Sequence, residues 1–335
     1  MKTLVRWVGL LLVVLLLLLV AVPLLLYTPH VQGMATRWAA ARLTEHTALE
    51  IGVGSMHLKY PFRLEIERLQ VGRQLRINHL STSIRLRPLL KSSISADHIT
   101  IDGIAFYTEP HTYLSAQELK IEEISYHWRS RKAHIRHILL AGGDVALHAS
   151  TPRHAPDTLF HKFPLLLTIA DVQLSHIKAS YSSDPLTLSS ALHSLALQHI
   201  AIDTAMHISL RSADLRVESV NIAPEGQSPW TLAQFEAHAN SLCYTPQHIA
   251  GELTHLALTT PYGMNLLDGA ASFTLDDSTL TLPYFTFHTA HSSFSGHLRT
   301  ESHMADHLIV DGDADIRIGY TDALLLAERI GNISP

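Results

Sequence analysis

The chain has 335 residues, of which 47% are hydrophobic and only 16% charged, and 25 Lys and Arg against 30 Asp and Glu leave a formal net charge of −5. Such apolar content excludes a disordered chain, and basic residues scattered without a cluster exclude nucleic acid as a partner. Cys243 is the only cysteine, which excludes an intramolecular disulfide, so stability must come from packing.

The first predicted element is the run Val8 to Leu26, nineteen residues without a charge, eleven of them Leu and five Val. At roughly 0.3 to 0.6 kcal/mol each, these residues favour membrane insertion by about 6 kcal/mol. Lys2, Arg6 and the free amine precede the run, Trp7 and Tyr27 bracket it as interfacial aromatics, and the next basic residue is Arg37. Residues 1–27 therefore read as a single-pass signal anchor with a cytoplasmic N-terminus. A cleaved signal peptide fits less well, because its apolar core is shorter and an Ala-x-Ala type site follows it. Thr28 and Pro29 make a helix start. Val31, Met34, Ala35 and Trp38 then share one helical face, so 28–47 is predicted as a short amphipathic helix at the membrane surface or the groove end, with Trp38 at the interface.

From Leu49 the helical period gives way to short alternating segments broken by Gly, Pro, Ser and Asp. About sixteen strands are predicted: 50–58, 62–71, 74–86, 94–107, 116–128, 132–141, 144–149, 165–180, 186–202, 205–222, 231–242, 248–259, 263–275, 279–288, 292–300 and 307–319. Residues 48–335 thus form an elongated β region, with the proline-containing stretch 150–164 as its candidate break. The fold class is mainly β, with one curved sheet that forms a groove.

Within these strands the apolar spacing i, i+2, i+5, i+7 recurs six times, and a uniform strand would throw its second pair onto the opposite face. A bulge at the intervening two residues restores the facing. Glu67–Arg68, Asp102–Gly103, Glu122–Glu123, Gln198–His199 and Pro283–Tyr284 suit such a break. The predicted groove lining is Leu64, Ile66, Leu69, Val71, Ile99, Ile101, Ile104, Phe106, Leu195, Leu197, Ile200, Ile202, Leu280, Leu282, Phe285 and Phe287. A β-sandwich also has alternating, half-buried strands. Few aromatics, no disulfide and a membrane anchor favour the groove.

No catalytic motif is present: there is no nucleophile elbow, phosphate loop, dinucleotide fingerprint or His-Glu-x-x-His. Gly52, Gly54 and Ser55 lack the lysine and helix that a phosphate loop needs. Of 24 histidines, the tightest cluster is His288, His291, His297, His303 and His307, spaced unlike ligands on one strand face. Asp311, Asp313 and Asp315 begin like a calcium loop, but Ile316 replaces its glycine. The chain is expected to be neither an enzyme nor a holder of metal or cofactor, and Cys243 reads as a small buried apolar residue.

The helix start at Pro29 to Gln32, Leu-Thr-Glu-His-Thr at 43–47, Leu49 to Ser55, Pro-Phe-Arg-Leu-Glu-Ile at 61–66, Leu80 to Leu90 and Ile-x-Ile-x-Gly at 99–103 together resemble the N-terminal part of the AsmA-like and TamB (translocation and assembly module) family. The resemblance is closest to its Bacteroidetes-type versions and is looser from Trp230 onward. It implies a β-taco, a long folded sheet with an apolar interior, and a role in moving phospholipids between inner and outer membranes. The implied partners are the inner-membrane bilayer, phospholipid acyl chains and an outer-membrane barrel protein engaged through a C-terminal region that TamB members have beyond this length. The implied place is the inner membrane with the bulk of the chain in the periplasm. The alternative role is a scaffold or chaperone for outer-membrane protein assembly, with the sheet edge capturing unpaired strands.

Overall fold

The structure is a computed structural model that describes residues 51–331 except 61, 73, 86–87, 89–91, 109–111, 149–164, 184–185, 225–229, 261–262, 264, 277–278 and 304–306, together with Gly33 and Met34. Gly33 and Met34 are helical. The predicted anchor 1–27, the rest of the predicted helix 28–47, and Trp7, Tyr27 and Trp38 lie outside the described residues. Among the described residues no helix is long and apolar enough to cross a membrane.

Fifteen strands follow: β1 (Ile51–Lys59), β2 (Arg63–Val71), β3 (Leu75–Arg85), β4 (Ser93–Thr108), β5 (Thr112–His127), β6 (Lys132–His148), β7 (Leu166–Ser183), β8 (Leu186–Ile202), β9 (Ile208–Pro224), β10 (Trp230–Thr245), β11 (His248–Thr259), β12 (Leu266–Asp276), β13 (Thr279–Thr289), β14 (Ser293–His303) and β15 (His307–Arg317). They form one curved, open sheet in chain order, with β1 and β15 at its edges. Neighbours pair antiparallel except β6 and β7, which run parallel on either side of 149–164. The predicted strands 132–141 and 144–149 are one strand, because Gly142 and Gly143 lie inside β6 and do not end it.

What holds the facing constant is a crease. One residue of four predicted bulge pairs has a positive φ: Arg68 (53°), Gly103 (67°), Glu123 (51°) and His199 (54°). The expected one extra residue against its neighbour is not what happens there. The β2/β3 pair keeps a single register from Arg63↔Ser83 to Val71↔Leu75, because β3 takes its own step of three, Ile77 to Leu80, opposite the step in β2. Adjacent strands change phase together, so neither slips. The conventional bulge appears at β13/β14, where Leu282↔Leu298 is followed by Phe285↔Gly296 and the register shifts across Pro283–Tyr284.

Two glycines meet the backbone demand of the crease directly. Left-handed backbone costs an L-residue roughly 1–2 kcal/mol and costs glycine almost nothing. Gly103 and Gly142 (φ 62°) occupy it, and the side chains of Asn78 and Gln117 lie over them, where a Cβ would come within 2.2 and 2.6 Å.

Apolar burial is confined to one of the two faces. The buried apolar side chains Ile77, Ala96, Ala116, Ile169, Val172, Ile177, Val217 and Ala271 all project on the face that carries Leu64 and Ile66, as the strand registers show. The sheet is curved, and its larger apolar side chains crowd together on this face, which we take as the concave one. The accessible surface is 23073 Å², against the ~13,600 Å² expected for a compact monomer of this mass.

Helix α1 (Tyr320–Gly331) closes the described chain. Its Asp322 is buried and accepts hydrogen bonds from the hydroxyls of Ser292 (2.5 Å) and Thr289 (2.5 Å), next to the β13–β14 turn. These two bonds, Ser292 first, hold the Asp322 carboxyl below the ordinary aspartate range. A depressed carboxyl stabilises the fold above the unfolded value of about 3.9 and loses that contribution as pH falls through the folded-state value. Asp322→Asn is therefore expected to lower the urea midpoint at pH 6, with the gap to the parent protein closing below about pH 4. A gap constant from pH 6 to pH 2.5 would remove the carboxylate from the account.

Candidate functional site

All sixteen predicted lining residues lie on the concave face, because cross-strand partners share a face. The β2 quartet pairs with Thr82, Leu80, Ile77 and Leu75 of β3, and these pair with Ile99, Ile101, Ile104 and Phe106 of β4. In β8, Leu195, Leu197, Ile200 and Ile202 sit between Leu174, Val172, Ile169 and Leu167 of β7 and Leu215, Ala213, Leu210 and Ile208 of β9. In β13, Leu280, Phe285 and Phe287 oppose Leu275, Ala271 and Gly269, Leu282 opposes Leu298 of β14, and the two phenylalanine rings stack at 5.7 Å.

The sets belong to one ladder. Following partners from edge inward, Met56, Ile66, Leu80, Ile101, Leu119, Leu140, Leu174, Leu195, Leu215, Ala237 and Leu256 form an unbroken row over β1 to β11. At ~4.8 Å per strand that row is about 48 Å long. Among the described residues, no charged side chain and no histidine stands at a position that register assigns to this face. Sequence reasoning missed the same spacing in β1, where Ile51, Val53, Met56 and Leu58 pair with the β2 quartet. Its signal was visible in the alternation of 51–58.

The convex face is polar and carries the histidines. His79 with Asp102 (3.2 Å), His137 with Asp171 (2.6 Å), His248 with Asp276 (2.6 Å) and His255 with Asp268 (2.8 Å) bridge adjacent strands, as does His238 with Asp214. Exposed pairs of this kind are worth about 0–1 kcal/mol each, less in salt. The C-terminal histidines do not converge where their side chains are described: His288 bonds Thr286 (2.9 Å) and His297 faces Asp313 (3.8 Å). Asp311, Asp313 and Asp315 alternate along exposed β15. Among the described residues, the three groups that do converge are His176, His193 and Glu218.

A recess of 510 Å³ lies at one end of the sheet, lined by the registered row Ser125, His134, Thr168, Ala201, Ser209 and Cys243 and by Leu167, Ile202 and Ile208 of the neighbouring row. Small side chains in that row leave the space open. Cys243 is half-buried there as a free thiol.

Fold and face together define a class: a single open β-sheet, polar outside, with a continuous apolar inner face. No family model, curated protein or solved structure matches this chain.

Proposed function

We propose that this chain is an anchored envelope protein that carries phospholipid acyl chains along its concave face between the inner and outer membranes, as the resemblance to the AsmA-like and TamB family implies. The apolar ladder from Met56 to Leu256 carries this reading. Each methylene that leaves water for such a face gains about 0.8 kcal/mol, so an acyl chain is held by length and not by specific contacts. A row of like hydrocarbon groups offers equal sites from strand to strand, which lets a lipid slide without a deep trap. The headgroup stays at the open side of the sheet. On this reading the protein needs no cofactor and performs no catalysis, and it sits in the inner membrane with its sheet in the periplasm.

A second reading has its own observation. Edge strand β15 exposes Ile309, Val310 and Ile316 at 53, 58 and 55%, which suits a scaffold that captures strands of barrel precursors by augmentation.

A photoreactive side chain placed in cells at Leu195, at its outward neighbour Ala196, or at Ile309 of β15 separates the two. The conduit reading expects phospholipid adducts at 195 and none at 196. Protein adducts at β15 with no lipid at 195 would replace the conduit by the scaffold.

A further inference from the structure

We infer that His176, His193 and Glu218 form a zinc-binding site on the convex face, where the crease crosses β7, β8 and β9. One ligand atom from each residue lies within 4.8 Å of the others. The His193 Nδ1 is 3.3 Å from a Glu218 carboxylate oxygen, and the two imidazole rings stand edge to face at 5.2 Å and 88°. Zinc bonds of about 2.0–2.1 Å in a tetrahedron set ligand atoms roughly 3.3 Å apart. All three side chains are exposed, so small rotations close that difference without moving the backbone.

The placement follows from the sheet. The three residues sit on successive strands between the partners Ser175↔Ser194 and Ile177↔Leu192, and next to Leu192↔Val217. Strands are ~4.8 Å apart, so neighbours in one row on one face come within reach of a shared ion. Elsewhere on this face the described histidines meet one carboxylate, as His79 and His255 do, or a hydroxyl, as His98, His134 and His288 do. Among the described residues, only this row brings a third ligand into range.

On β7 the crease residue in left-handed backbone is His176, at φ 53°, as Arg68, Glu123 and His199 are on β2, β5 and β8.

Two imidazoles and a carboxylate are the donor set of open zinc sites, with a fourth position left to water, and they disfavour calcium and magnesium, which take oxygen alone. Lys178 and Arg216 stand two residues from His176 and Glu218 on the same face and limit the row to one ion. Bound there, the ion ties β7, β8 and β9 together beside the parallel β6/β7 join.

The test is zinc titration by calorimetry of the full chain, purified in detergent and stripped of metal. One equivalent is expected to bind, with a rise in unfolding temperature. His193→Ala, Glu218→Gln and His176→Asn are each expected to weaken binding at least tenfold, and asparagine tolerates the left-handed backbone at 176. His255→Ala, in a separate pair with Asp268, is expected to leave this equivalent intact. Circular dichroism of each variant checks that the sheet is unchanged. The inference is overturned if the chain takes up no zinc, or if the three variants bind it as the parent does.

Discussion

Replacing Leu197 by Asp is expected to reduce phospholipid crosslinking on the concave face at least tenfold while the sheet stays folded. Leu197 lies in β8 between Val172, which is 8% exposed, and Ala213. On the conduit reading a carboxylate at that point meets acyl chains and not water, and an unpaired charge in hydrocarbon costs at least a few kcal/mol, where 1.4 kcal/mol is already tenfold. Asp is a stricter probe than Arg, whose long stem could carry its charge to the groove mouth. The control is Gln198→Arg, one residue along and on the exposed convex face, which is expected to leave crosslinking unchanged. Undiminished lipid adducts in a folded Leu197→Asp protein would end the conduit reading and leave strand capture at β15 in its place.

Gly143→Ala is expected to destabilise the sheet by about 2–3 kcal/mol, among the larger effects of adding one methyl group. Gly143 projects toward the concave face opposite Ala116, which is 3% exposed. A Cβ there would stand 2.3 Å from the Ser115 carbonyl oxygen and 3.3 Å from the Ala116 Cα. The obstacle is backbone, and β5 is held by β4 on its far side just as β6 is held by β7. Neither strand can retreat without breaking a second ladder. Gly52→Ala is the counterpart: its Cβ would meet only the Gln70 Cβ, at 3.8 Å. Losing glycine's unfolded-state freedom there is expected to raise stability by about 0.4–1 kcal/mol. Urea midpoints for the two variants check both signs, and a Gly143→Ala protein as stable as its parent would show that β5 and β6 do not approach this closely.

Most strand limits were legible because the signal is local. Alternation with period two is dictated by burial on one face, and β8 (Leu186–Ile202) and β11 (His248–Thr259) run as the pattern predicts. The step of three was equally legible, since a second apolar pair on the wrong face would have faced water. The division of β6 was misread because Gly142–Gly143 has the composition of a turn. Only the neighbouring strands show that the glycines serve a left-handed crease residue and a close backbone approach.

Sequence alone determined that the chain would be a β protein with apolar side chains in pairs offset by three, because hydrophobic burial acts residue by residue along one strand. The anchor read from residues 1–27 is an expectation of the same local kind, on residues outside the described ones. Tertiary structure decided what depends on pairing: that β2 and β3 share their step and so keep register while β13 and β14 shift, and that β6 and β7 run parallel. It also decided that all fifteen strands join in one open sheet, and that His176, His193 and Glu218, widely spaced in the chain, meet in one row. Cross-strand neighbours are chosen by register, and register is a property of two strands at once, which no single stretch of sequence contains.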